Sequence, residues 1–257
     1  MMATRRIFLV LFLIAVLAPF AYAVCNRTCG ASKASVPYPF GFSEGCPIVL
    51  NCSTDEEHPF SLGEFKVKNV TSSSFWIDLH PSCNRSISTV KHFFKHNYRM
   101  TARNTLLLQT CSSDTVAPVC LPSLSNFSNN LGSWAGQCKS IQINCFSANT
   151  SHRGRDLPPL LSSDFIDGLN CSNLYSSMTL IDQAASIQLE TVELGWWLGN
   201  NCSLCHKDAK CSLSHRTVLN PGKNSSAVQS PLCVCLDGLA GDGFSEGDGC
   251  QRGTQSH

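Results

Sequence analysis

Hydrophobic and polar positions along this chain alternate in short runs rather than at helical spacing. Phe65-Lys66-Val67-Lys68 steps apolar, polar, apolar, polar, the period of a strand with one wet face. Residues 36–42, 48–52, 65–70, 74–79 and 105–110 share the β-branched and aromatic enrichment of strands, with Pro, Gly and Ser between them. Ile141-Gln142-Ile143 and the longer run from Ser186 to Leu194 alternate in the same way. Between those two, Ser162 or Ser163 is placed to cap a short helix that ends near Gly168. No internal repeat and no low-complexity run is visible. The pattern predicts a mainly β protein with irregular loops and one short helix.

One hydrophobic run has a different meaning. Arg5 and Arg6 precede an unbroken apolar stretch from Ile7 to Ala18, followed by Pro19, Phe20 and the small-x-small step Ala21-Tyr22-Ala23. About a dozen apolar residues are too few for a membrane span of roughly 20 and suit a secretory signal helix cleaved after Ala23. An uncleaved signal anchor is the alternative. Beyond Ala23 the apolar stretches 106–108 and 194–198 are short and interrupted, and residues 252–257 form a polar tail, which argues against a GPI signal. The expectation is a secreted chain.

Composition sharpens this. The 257 residues include 16 cysteines, all after Ala23, and only 14% charged residues, against roughly 25% in ordinary domains. So many thiols point to an oxidising compartment. The 19 basic residues less Arg5 and Arg6 leave 17 against 18 acidic, a net charge of −1. Nothing there supports nucleic-acid binding. Sequons stand at Asn26, Asn51, Asn69, Asn84, Asn126, Asn149, Asn170, Asn201 and Asn224, so a glycosylated surface is expected. Cysteine in the middle position at Asn51, Asn170 and Asn201 lowers the expected occupancy there.

Texture divides the mature chain into residues 24–111, 112–197 and 198–251. The last stretch carries Cys202-x2-Cys205-x5-Cys211, a longer gap, Cys233-x-Cys235 and Cys250, with Gly241-Asp242-Gly243-Phe244 before the end. Six cysteines allow 15 connectivities. Cys202-Ser203-Leu204-Cys205-His206 also fits a haem-attachment pattern, and Cys202, Cys205, His206 and Cys211 fit zinc spacing; oxidation to disulfides is the plainer reading, with no cofactor and no metal. The set resembles an EGF-like module, and that resemblance implies the pairs Cys202–Cys211, Cys205–Cys233 and Cys235–Cys250. The Cys211-to-Cys233 loop is long for such a module. Gly199-Asn200-Asn201 stands where calcium-binding versions carry acidic residues, so no calcium site is expected.

At the other end, Cys25-Asn26-Arg27-Thr28-Cys29-Gly30, Val36-Pro37-Tyr38-Pro39-Phe40-Gly41-Phe42, Gly45-Cys46 and Leu50-Asn51-Cys52 form a distinctive set. Together with Leu194-Gly195-Trp196-Trp197, it resembles the ectodomain of plant wall-associated receptor kinases: a galacturonan-binding domain followed by an EGF-like module. The resemblance implies extracellular recognition of pectic polysaccharide at the plant cell wall. Relatives continue into a transmembrane helix and a kinase; kinase motifs are absent from this chain, so signalling is not implied. In a longer receptor the same region would sit outside the plasma membrane.

A polygalacturonate binder needs spaced cations, hydroxyl and amide donors and an aromatic face. Between Asp78 and Asp114 there is no acidic residue, yet Arg85, Lys91, Lys95, Arg99 and Arg103 are present, interleaved with His92, His96, Phe93, Phe94 and Tyr98. The last four cations recur every four residues, about 13 Å along a strand or about 6 Å along a helix, so one side carries them in either case. The bland alternative is an ordinary solvated surface. Tyr38 and Phe40 read as core or stacking residues. No Gly-x-Ser-x-Gly, His-Glu-x-x-His or glycosidase acid pair appears, so no catalysis is expected. A second functional class is a protein-interaction ectodomain, or soluble decoy, that binds another extracellular protein or peptide through the EGF-like module.

Overall fold

The computed structural model describes residues 24–30, 33–53, 57–112, 138, 143–148, 157–181 and 186–252. The expected signal segment, residues 1–23, lies outside these, as do Asn126, Asn149 and most of the polar tail.

Short strands built from the predicted runs come first. β1 (Phe40–Gly41) pairs in parallel with β2 (Ile48–Val49). β3 (Asn51–Cys52), β4 (Phe60–Leu62), β5 (Phe65–Val70) and β6 (Ser74–Asp78) then pair antiparallel in succession. In β5, Phe65 and Val67 are buried and Lys66 and Lys68 exposed, as the alternation dictates. The register slips between Val67 and Asn69, so Lys68 sits in a bulge and its ammonium pairs with Asp78.

β7 (Tyr98–Met100) and β8 (Asn104–Cys111) follow, and the later strands return to them. β9 (Ile143–Ser147), β11 (Cys171–Ile181) and β12 (Ser186–Leu189) join β8 in a four-stranded sheet ordered β12-β11-β8-β9. β13 (Thr191–Trp196) instead enters the six-stranded sheet ordered β3-β4-β5-β6-β13-β7. The single alternating run from Ser186 to Leu194 is therefore two strands in two sheets. Glu190 breaks it, with φ 57° in the left-handed region. Strands from both sides of residue 111 thus share sheets and one hydrophobic core.

β10 (Leu160–Leu161) lies parallel to β14 (Ala209–Leu219), which pairs antiparallel with β15 (Ser226–Cys235). The long gap between Cys211 and Cys233 is this hairpin. β16 (Leu239–Ala240) and β17 (Gln251–Arg252) close the C-terminus. The predicted helix is α1 (Asp164–Asp167), closed by the Gly168 N–H donating to Asp164 O at 3.2 Å. Ser163 occupies its N-cap but is itself helical, and its hydroxyl makes no capping bond.

Aromatic rings tie the layers together. Phe40, fully buried, meets Phe75 at 5.2 Å and Trp196 at 6.0 Å, both edge-on, and Phe75 meets Tyr98 at 5.4 Å. Edge-on pairs of this kind stabilise beyond the area they bury. Cys25–Cys46, Cys29–Cys52, Cys83–Cys138 and Cys111–Cys171 brace the first two stretches. The C-terminal six pair as Cys202–Cys211, Cys205–Cys233 and Cys235–Cys250. Cys202, Cys205 and Cys211, the cysteines of the zinc and haem spacings, are thus each committed to a disulfide.

Candidate functional site

The basic window folds as three different pieces. Ile87–Phe93 forms a 3-10 segment whose start is capped by Ser86 Oγ, which accepts from the Ser88 N–H at 3.2 Å. Val90 and Phe93 face the core, and Lys91 and His92 occupy the exposed last turn. A tight reversal follows: the Lys95 N–H donates to Tyr98 O at 2.9 Å, and Phe94 bridges to Arg99. Lys95 and His96 stand exposed at its tip. β7 then carries Tyr98 and Arg99 alongside β13, with Gly195 opposite Arg99. The four-residue repeat of cations thus spans a 3-10 turn, a reversal, a strand and a loop. No single periodic element displays it.

Partners separate the cations. Arg85 donates to His80 O at 2.8 Å and Tyr175 O at 3.4 Å and lies over the Phe65 ring at 6.0 Å; burial lowers its pKa, partly offset by Glu64. It clamps backbone. Arg103 faces the buried Glu193, Nη1 to Oε1 3.7 Å. Glu193 Oε2 also accepts from the Thr101 hydroxyl at 2.8 Å, and its N–H donates to Asn104 Oδ1 at 2.8 Å. Tyr98 is a core residue: its hydroxyl donates to His92 O at 3.3 Å, and burial pushes its pKa up to about 12. Arg99 lies over the Trp197 ring at 5.6 Å, a cation–π geometry. Lys91, His92, Lys95 and His96 have no side-chain bond or ion pair among the described residues and are exposed.

A groove of about 270 Å3 opens beside these groups, lined by Lys91, Phe94, Ser163, Ile166 and Asp167. The sequence window is acid-free, but the surface is not, because α1 brings acids to it. Asp164 is bonded to Lys223 Nζ at 2.8 Å. That hydrogen bond and charge hold its carboxyl below the usual range, with a smaller contribution from Arg99. The Asp167 side chain has no partner among the described residues. Asp164, Asp167 and Lys223 escape the sequence reading, and Ser163 and Trp197 enter it only as a helix cap and as part of a motif. The helix itself was legible, but some 70 residues separate it from Lys91, and no local signal joins them.

The six-cysteine module is built into the same body. Tyr38 packs against Phe244 with ring centres 5.1 Å apart and planes tilted by 44°, Arg27 Nη2 pairs with Asp248 Oδ1 at 2.8 Å, and Cys233 and Phe244 belong to the main core. From β14, Arg216 reaches the segments before β6 and β10, where Nε donates to Pro158 O at 2.6 Å and Nη1 to Ser73 O at 2.8 Å. Gly195 provides the space, since a Cβ there would overlap the guanidinium. The Leu194-Gly195-Trp196-Trp197 motif therefore seats Arg216, packs Trp196 on Phe40 and supports Arg99 with Trp197.

Asn26, Asn51, Asn69, Asn84, Asn170, Asn201 and Asn224 are all exposed. Asn26, Asn51 and Asn201 use Oδ1 to accept the N–H groups of Thr28, Gly63 and Ser203, leaving Nδ2, the atom a glycan takes, out of those bonds. Among the described residues no helix is long and apolar enough to cross a membrane, and no group of three or more His, Cys, Asp or Glu is placed to hold a metal.

The described residues thus form a disulfide-braced β body with a cysteine-rich module packed into its core and exposed cations on its surface. The chain is a homologue of the plant wall-associated receptor kinase-like proteins. Wall-associated receptor kinase-like 14 of Arabidopsis thaliana is 30% identical over 234 residues, 89% of this chain and 31% of that protein. Wall-associated receptor kinase-like 21 of the same plant is 30% identical over 247 residues, 94% of this chain and 37% of that protein. The chain spans about a third of the length of these curated relatives. No family model and no solved structure matches it. The homology supports a receptor ectodomain on the cell-wall side of the membrane.

Proposed function

We propose that this ectodomain binds acidic cell-wall polysaccharide, galacturonan in particular, as a secreted glycoprotein or as the outer part of a longer receptor. The observation that carries the reading is the pair of exposed cations Lys91 and Lys95, unpartnered among the described residues and flanked by His92, His96 and the Trp197-supported Arg99. A single exposed ion pair contributes only about 0–1 kcal/mol. A polymer of regularly spaced carboxylates engages several at once, and the contacts accumulate through effective concentration. Catalysis plays no part.

The test is retention of the full chain on immobilised polygalacturonate. Lys91→Glu/Lys95→Glu abolishes retention near physiological salt, and wild-type retention falls as salt is raised, because exposed charges are screened over about 8 Å at 0.15 M. Arg103→Gln, whose partner is Glu193, leaves retention within about twofold. Full retention by the double charge reversal refutes the site. A second reading, docking of another extracellular protein on the EGF-like module, is favoured by the exposed row Leu232, Val234 and Leu236, 46%, 53% and 51% accessible.

A further inference from the structure

Two side chains of opposite charge, Lys91 and Asp167, line one groove without forming an ion pair. Ser163, freed from capping, adds a hydroxyl, and Phe94 and Ile166 supply apolar lining. Its roughly 270 Å3 lies just below the roughly 300–1,000 Å3 typical of sites for drug-sized ligands, which suits about one ring. Pure polyanion binding gives no account of Asp167, since a carboxylate in the site repels every anionic ligand equally.

We infer that the groove between the 3-10 segment and α1 is a subsite for a single uronate ring, in which Lys91 takes the sugar carboxylate while Asp167 and Ser163 take ring hydroxyls over an apolar floor. The inference rests on the proposed function and adds what separates a uronic-acid polymer from any other polyanion. An ionised acceptor makes a strong hydrogen bond to a sugar hydroxyl, and a polymer without hydroxyls offers nothing in return. Phe94 and Ile166 suit the C–H face of a sugar ring. Asp164, the other acid of α1, is committed to Lys223 and does not compete.

The two accounts of Asp167 predict effects of opposite sign. Binding of the full chain to polygalacturonate and to polyglutamate is measured for wild type, Asp167→Ala, Asp167→Asn and Ser163→Ala. Removing the carboxylate weakens polygalacturonate binding roughly 10- to 100-fold and leaves polyglutamate binding unchanged or tighter. Asp167→Asn, which keeps an acceptor, loses less than Asp167→Ala. Ser163→Ala weakens only polygalacturonate. Asp167 is exposed and makes no side-chain bond among the described residues, so circular dichroism of the variants matches wild type. If Asp167→Ala binds both polymers equally well or tighter, Asp167 is merely a repulsive surface charge and the subsite is overturned while galacturonan binding stands. If wild type is retained on neither polymer, the proposed function falls and the subsite with it.

Discussion

Replacing Arg216 tests how the six-cysteine module is held. Arg216 is 4% exposed, and its guanidinium donates to Pro158 O at 2.6 Å and Ser73 O at 2.8 Å, with Ser74 Oγ at 3.5 Å. Burial pushes its pKa down to about 10, with Glu193 opposing and Arg103 adding to the shift. Arg216→Ala strands the carbonyl of the buried Pro158, at about 1–3 kcal/mol, takes one of two donors from Ser73 O, which keeps the Trp196 N–H at 3.1 Å, and takes a cation from beside the buried Glu193. We expect a loss of about 3–5 kcal/mol, a fall in Tm on the order of 10 °C for a chain of this size. Gly195→Ala attacks the same contact from the other side, because its new Cβ overlaps Arg216 and lies 2.6 Å from Nη2. Gly195 needs no unusual φ, so the cost is steric, about 1–3 kcal/mol. With Arg216 already removed, that Cβ enters vacant space. Denaturant unfolding of the four disulfide-intact proteins should therefore show the Gly195→Ala penalty shrinking by about 1–3 kcal/mol in the Arg216→Ala background. Equal penalties in both backgrounds, within about 0.5 kcal/mol, would refute the account of Gly195 as the seat of Arg216.

Titration offers two further checks. Burial raises the Tyr98 pKa to about 12, above the usual value near 10. Its stabilising contribution is intact below pH 10 and is lost between pH 10 and about 12. Burial also raises Tyr38 and Tyr175, so ultraviolet titration should show several late-ionising tyrosines and Tyr98→Phe should remove the component near pH 12; an unchanged alkaline limb counts against the burial. Asp164 is held below its usual pKa chiefly by its hydrogen bond and charge pairing with Lys223, so the pair's contribution is present above the usual carboxylate pKa and lost as pH falls through the depressed one. Carboxyl NMR should place Asp164 low in the wild type and nearer its usual value in Lys223→Ala; identical titrations would show that Arg99 or solvent sets the shift. The Lys91→Glu/Lys95→Glu retention assay and the Asp167 polymer comparison stand beside these as tests of function.

Much of the scaffold is local chemistry and was legible along the chain. The alternation in Phe65–Val70 already says which side chains are wet, and Gly168 ends the short helix where the pattern places it. Strands β14 and β15 gave no such signal. Ser, Thr, His and Pro interrupt their Leu, Val and Cys, and what makes them strands is pairing across the hairpin, from Ala209 opposite Cys235 to Val218 opposite Ser226. Nor did alternation reveal that Glu193 is buried, because both faces of β13 are covered and its carboxylate is satisfied by Thr101 with Arg103 close by.

The sequence by itself determined the supply of cysteines for disulfides, the β character, the family resemblance and a stock of cations in one acid-free window. Those follow from composition and short-range periodicity, which a linear reading measures directly. Tertiary structure alone decided which cations are free. Arg85 finds the carbonyl of nearby His80 and that of Tyr175 from a strand far along the chain, and Arg103 finds the carboxylate of Glu193, while Lys91 and Lys95 find no partner among the described residues. It also brought Asp167 against Lys91, turning an acid-free window into a groove of mixed charge. Charge acts through space at a few ångströms, and the chain places those neighbours some 70 residues away.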